Sequence, residues 1–139
     1  LFGGRGRLQS VGVPLPLGAI DNRRTLLAVD NLASLIERCI AHPAAGGRVL
    51  LAGDPEDLST TELLRRLARA MGTRPRLVPV PPPLLAIAAR LTGRGAMLRR
   101  LCSSLRVDSS ETRALLDWQP PVAVDEGLRR AAEAFLRIR

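Results

Sequence analysis

The chain has 139 residues, with 21 arginines, 13 acidic residues and one histidine, for a net charge of +8. It contains no tyrosine and no lysine, which excludes a Schiff-base amine, a phosphate-loop lysine and a Tyr/Lys proton relay on these residues. A lone His42, with Cys39 and Cys102 far apart, leaves no set for a histidine triad, a paired-cysteine zinc site or a thioredoxin-type redox pair.

The first eleven residues are broken by Gly3, Gly4 and Gly6, and start as a piece of a longer protein would, without an initiator Met. Gly12-Val13-Pro14-Leu15-Pro16-Leu17-Gly18 reads as an ordered loop or edge strand, because each proline drives the residue before it toward extended geometry. Residues 25–29 form a short apolar run of strand length. Asp30 or Asn31 is expected to cap the following helix, whose stripe of Leu32, Leu35, Ile36, Cys39 and Ile40 follows the 3.6-residue period. His42-Pro43 ends it, with His42 as a C-terminal cap rather than a catalyst.

Residues 48–52 are expected to form a second strand, closed by Gly53-Asp54-Pro55. The carboxylates Asp54, Glu56 and Asp57 suit the N-terminus of the helix that follows better than a metal site. Ser59-Thr60-Thr61-Glu62 has the capping-box pattern, with a helix burying Leu63, Leu64, Leu67, Ala70 and Met71 and stopping at Gly72. Residues 76–80 form a third extended piece, halted by three prolines; Pro83 suits the first turn of a helix ending at Gly93. Residues 96–101 add one or two helical turns, and 105–107 are extended. Ser109 or Ser110 then caps a short helix ending near Trp118, a packing anchor in this reading. After Pro120-Pro121, the stripe of Leu128, Ala131, Ala132, Phe135 and Leu136 marks a closing helix.

Strands and helices alternate, so the expected fold class is α/β, helix-dominated with a few short strands, and the whole of 1–139 is read as one domain. Two Phe and one Trp leave Leu, Ala, Val and Ile to fill the core. No apolar run approaches the ~20 residues needed to cross a bilayer, so no membrane partner is expected. Two sparse cysteines suit a reduced, cytoplasmic setting and leave one disulfide open. The positive charge invites nucleic acid, but the arginines look scattered and almost no aromatics are present to stack on bases, so that partner is not expected. Gly93-Arg94-Gly95 lacks a third glycine and follows a helix, so it is no dinucleotide fingerprint.

Four ordered motifs carry a resemblance. They are Val13-Pro14-Leu15-Pro16-Leu17-Gly18 with Asn22-Arg23-Arg24-Thr25-Leu26-Leu27-Ala28-Val29-Asp30-Asn31-Leu32; Leu58-Ser59-Thr60-Thr61-Glu62-Leu63; Val107-Asp108-Ser109-Ser110 with Leu115-Leu116-Asp117-Trp118-Gln119-Pro120; and Asp125-Glu126-Gly127-Leu128. In this order they resemble the extended short-chain dehydrogenase/reductases, specifically the NAD-dependent nucleotide-sugar epimerase/dehydratase family that includes the UDP-glucose 4-epimerases. The resemblance runs from about Gly12 to Phe135. It departs from the family where Glu111 replaces a lysine and Asp117 a glycine; Asp is among the better substitutes where φ is positive.

The resemblance implies the C-terminal, substrate-binding lobe of a Rossmann-type enzyme, with the NAD-binding domain, its glycine-rich loop and its Tyr-x-x-x-Lys expected upstream. NAD would serve the full-length enzyme and is not expected to bind these residues. The implied substrate is a UDP-sugar, and a homo-oligomer is an open possibility. Arg24 aligns with the family arginine that grips the pyrophosphate, a role suited to a guanidinium's forked donors. A second phosphate- or ribose-binding arginine falls at Arg99 or Arg100, with Arg100 favoured. Leu15 and Leu17 lie where backbone groups of the family read the uracil edge; a proline-stiffened structural loop is the competing account. Ser103 and Ser104 suit turn or capping duty. Two other functions stay open: a non-catalytic relative that keeps a ligand, and an arginine-rich binder of nucleic acid or other anions.

Overall fold

The computed structural model describes residues 15–93 and 95–138. Helices dominate: α1 (Val29–Ala41), α2 (Thr60–Ala70), α3 (Pro82–Leu91), α4 (Gly95–Cys102), α5 (Ser110–Leu116) and α6 (Val124–Arg137). Two short strands, β1 (Arg24–Thr25) and β2 (Asp57–Leu58), pair antiparallel with Arg24 opposite Leu58. On its other side Arg24 makes a parallel bridge to Leu105. β1 is therefore the middle of a narrow ribbon, and Arg24 sits at its centre. A second parallel bridge joins Leu15 to Leu77. Gly18 packs so closely on Val78 that a Cβ there would lie 2.8 Å from the Val78 carbonyl carbon.

The expected strand at 25–29 stops at Thr25, and Val29 already begins α1. Neither Asp30 nor Asn31 caps that helix; the N-cap is Ala28, whose amide donates to the Asp54 carboxylate at 3.0 Å. The expected strand at 48–52 is irregular backbone, tied by the Leu51 amide donating to the Thr112 hydroxyl at 3.0 Å. A strand needs a partner ladder as well as a suitable composition, and none lies beside these residues among those described.

The helix stops agree with expectation. His42 caps α1 by donating its amide to the Arg38 carbonyl. Ser59 Oγ accepts from the Glu62 amide at 3.0 Å, and Gly72 takes φ +66° after α2. Glu62 does not reach back to Ser59; its carboxylate takes the Arg66 Nε donor at 3.0 Å. Asp117 ends α5 in the left-handed region at φ 45°.

The compact centre is Leu35, Leu116 and Trp118, with Cys39, Ala45, Leu50, Ala52 and Leu115 packed around it. Trp118 is the anchor expected of it, and its indole N–H donates to Ser34 Oγ at 3.1 Å. Three expected stripes are buried less than their period suggested. On α1 only Leu35 is fully buried among the apolar positions, while Ile36 and Ile40 face outward. On α2 the fully buried residues are Thr60 and Thr61, and Leu63, Leu64 and Leu67 are half-buried. The α6 stripe buries Ala132 and leaves Phe135 and Leu136 exposed.

With little sheet to satisfy the main chain, polar side chains complete the interior. Asn22, Asn31, Asp54, Thr60, Thr61, Ser109 and Thr112 are all buried. Among the described residues, no buried side-chain nitrogen or oxygen lacks a partner. Burying such groups is tolerable only on that condition.

Candidate functional site

Two of the sequence-derived candidates, Arg24 and Arg100, meet where β1 faces the end of α4, with Arg99 adjoining Arg100 in that helix. Backbone pairing on both sides fixes Arg24: its ladder to Leu58, the Thr25 amide donating to the Leu105 carbonyl at 2.9 Å, and the Leu105 amide donating to the Arg23 carbonyl at 2.9 Å. The half-buried Arg24 side chain then crosses to α4, where Nη1 donates to the Arg100 carbonyl at 3.3 Å. Arg99 and Arg100 occupy the last turn of α4 with exposed side chains.

The surroundings leave these cations unneutralised. Among the described residues, no carboxylate forms an ion pair with Arg24, Arg99 or Arg100, whereas Arg23 lies 3.8 Å from Asp21 and Arg106 lies 2.7 Å from Asp57. The Thr25 hydroxyl and then Arg106 hold the Asp57 carboxyl below its ordinary value, against a smaller opposing effect of burial than that of the hydroxyl. Asp57 is thus ionised but already engaged, by Thr25 at 2.6 Å and by Arg106. Guanidinium groups without acidic partners can take an incoming anion through forked donors.

Residues that the motif reading passed over do the positioning. Asn22 donates from Nδ2 to the carbonyls of Leu101 (3.1 Å) and Ser103 (2.9 Å), while its Oδ1 accepts from the Thr60 amide at 2.7 Å. Thr60 Oγ1 donates to the same Leu101 carbonyl at 2.8 Å. One buried amide and one buried hydroxyl therefore lock the end of α4 to the start of α2, beside Arg24. Asn22 directly precedes the double arginine and Thr60 sits inside the capping box, so both were in view; only their long-range partners were hidden. Ser103 and Ser104 have the expected turn duties: Ser103 Oγ donates to the Arg100 carbonyl, and Ser104 Oγ accepts from the Arg23 amide.

Leu15 and Leu17 behave differently. The Leu15 amide donates to the Arg76 carbonyl, and its own carbonyl accepts from the Val78 amide, both at 2.9 Å. Its backbone groups are therefore spent on the bridge, which favours the structural-loop account. The Leu17 carbonyl accepts from Thr61 Oγ1 at 2.6 Å, and its side chain enters a small apolar groove of about 220 Å³ with Leu85, Leu98 and Leu101. Arg24, Arg99 and Arg100 do not line that groove, although Leu101 adjoins Arg100 in sequence.

Other candidates are accounted for structurally. Asp54 bonds Ala28 and Asn31 at the start of α1, not the helix that follows it in sequence. Glu56 pairs with Arg66, whose guanidinium also meets Glu62 and Asp125. Glu56 first, then Glu62 and Asp125, holds the Arg66 pKa above its ordinary value. Among the described residues no cluster of His, Cys, Asp or Glu could hold a metal, both cysteines are free, and no helix is long and apolar enough to cross a membrane.

No protein-family model and no solved structure matches the chain. Two curated proteins do. The chain is 41% identical over 132 residues to a Vibrio cholerae protein named UDP-glucose 4-epimerase, covering 94% of this chain and 40% of that protein. It is 32% identical over 115 residues to a Mycolicibacterium smegmatis protein of the same name, covering 83% of this chain and 32% of that one. The chain thus spans less than half the length of the relatives it matches. With the ordered motifs and the helix-dominated α/β architecture, this likeness supports an epimerase-like short-chain dehydrogenase/reductase family for these residues.

Proposed function

We propose that the chain is the UDP-sugar-binding portion of an NAD-dependent nucleotide-sugar epimerase or dehydratase, and that Arg24 grips the diphosphate. Arg100, with Arg99 beside it, supplies a second positive charge to the same phosphates or the ribose, and the Leu17 amide reads a base edge. The observation that carries this reading is the Arg24 guanidinium, without a carboxylate partner among the described residues and held by β1 against the Arg100 carbonyl at the end of α4. Fixing a cation before the ligand arrives lowers the ordering cost of binding.

NAD belongs to the longer enzyme. The residues here include no glycine-rich phosphate loop, no tyrosine and no lysine, so they do not fit that cofactor and no hydride or proton-transfer step is assigned to them. The partner that carries NAD is the upstream domain of the same polypeptide. An apolar surface is in keeping with such a neighbour: Val29, Ile36 and Ile40 project from α1, and Val49 is almost wholly exposed nearby in sequence. A recess of about 420 Å³, bordered by Leu26, Leu27, Val29, Leu63, Leu128 and Ala131, opens at the N-terminal end of α1. The free cysteines suit a reducing, cytoplasmic location.

Calorimetric titration of UDP and UDP-glucose into the chain tests the site. Losing a charge-assisted contact should weaken binding of both about tenfold or more in Arg24→Gln, while Arg23→Gln should bind as the parent does. Equal affinity in Arg24→Gln would end this assignment. Expression of the longer gene product, with NAD content and UDP-sugar turnover as readouts, tests the enzyme itself.

A further inference from the structure

The positive charge of this chain has a boundary that the arginines alone do not show. Between Glu62 and Asp108 there is no acidic residue, yet the interval holds ten arginines. The rest of the chain carries eleven arginines against thirteen carboxylates. The scatter of arginine thus conceals a strongly basic stretch that contains most of α2, the 71–81 connection, α3 and α4, set against a slightly acidic remainder. Arg65, Arg69, Arg74, Arg76 and Arg90 within it are all exposed.

The same stretch presents an outward apolar helix face. Leu85 turns inward on α3 and is buried, whereas Leu84, Ile87 and Leu91 are 58%, 57% and 84% exposed. Their spacing of three and four positions puts them on one side of the helix. Arg90 is exposed within the same last turn, and its position borders that side. No Phe, Tyr or Trp occurs between Glu62 and Asp108, so base stacking has nothing to use. Branched aliphatic side chains bordered by Arg90 and preceded by the exposed Arg74 and Arg76, in an interval of sequence without a carboxylate, instead match a surface that is anionic at its headgroups and apolar just beneath.

We propose that α3 is a membrane-surface docking helix, which lays Leu84, Ile87 and Leu91 into a bilayer carrying anionic lipid while Arg90 at the border of that face meets its headgroups. This is attachment to one leaflet, not a span, and it does not depend on the nucleotide-sugar reading. It gives the basic stretch a role that Arg99 and Arg100 do not exhaust.

Flotation of the chain with vesicles of phosphatidylcholine alone, or mixed with phosphatidylglycerol, tests it. Binding is expected to the mixed vesicles and to fall about tenfold or more in the Leu84→Ser/Ile87→Ser/Leu91→Ser variant. Circular dichroism checks that this variant stays folded. Arg90→Glu, which leaves the apolar face intact, should weaken the same binding and serves if the triple variant unfolds. Several outcomes overturn the proposal: no binding to either vesicle, equal binding to both, or binding that is unchanged in the variants. Lipid-free self-association abolished by the triple variant would assign the face to a second copy instead. Steeply salt-dependent binding to duplex DNA, with vesicles ignored, would assign the charge to nucleic acid.

Discussion

Around α1 and α5, side-chain hydrogen bonds reach far along the chain: Asn31 to Asp54 and Val122, Ser109 to Gly53, and Thr112 to Leu51 each join residues at least 23 positions apart. Just past the ends of α3 and α4 the side chains bond locally, Thr92 to Ala88 and Ala89, and Ser103 to Arg100. The end of α4 is held from outside by Asn22 and Thr60, but the body of α3 contributes one buried residue, Leu85. A directional bond made in the interior penalises every other arrangement of its partners, because a displaced partner is left unsatisfied. The first region is therefore specified by polar geometry, and the second is free to spend its surface on binding.

The largest effect expected from breaking that contrast is at Asn31. Its side chain is completely buried, donates to Asp54 at 2.7 Å and to the Val122 carbonyl at 2.8 Å, and accepts from the Val122 amide at 2.9 Å. Asn31→Leu should lower the unfolding free energy by roughly 4 kcal/mol, since a carboxylate oxygen and two backbone groups lose their partner together. Urea denaturation measures it, and a loss below about 1 kcal/mol would show that the polar brace is not what holds α1. Leu116→Ala comes next, at about 3 kcal/mol, because Leu116 lies fully buried between Leu35 and Trp118 and its removal leaves a cavity.

How much of this contrast was legible beforehand depends on what each signal encodes. Ser59, Gly72, His42 and the left-handed Asp117 were readable because caps and stops are decided within a few residues. Trp118 was readable as an anchor for a similar reason: a lone large side chain beside an amphipathic turn needs cover. The strand expected at 48–52 failed because composition cannot say whether a partner edge exists. The α1 stripe was found, but period alone could not tell that its Ile36 and Ile40 lie outside this chain's own core. Arg24 and Arg100 were singled out by motif, whereas Asn22 and Thr60, which bring their backbones together, act across 38 to 81 positions that no local pattern spans.

Acid should separate the surface networks from the buried brace. Glu126 accepts from Arg129 and Arg130, and these bonds, Arg129 first, lower its carboxyl pKa from 4.5 to about 2. A depressed folded-state pKa adds stability above the unfolded value, and that stability is lost as pH falls toward the folded one. Thermal midpoints should therefore drop progressively between about pH 4.5 and 2, with a shallower fall in Glu126→Gln. Because the Glu126 side chain is about a third exposed (35%), solvent screening makes the difference small. Parallel acid profiles for the two proteins would remove Glu126 as a contributor.

The smallest change is expected on the face of α3. Leu91 is 84% exposed and supports no neighbour in the core cluster, so Leu91→Ser should shift the unfolding free energy by less than about 0.5 kcal/mol. Set beside Asn31→Leu, it tests the division of labour directly, since both replacements exchange one polar and one apolar group. A destabilisation at Leu91 approaching that at Leu116 would mean that α3 is packed against something within this chain. Its apolar side would then be a structural surface, and the distinction between a polar-braced region and a free binding helix would fail at that point.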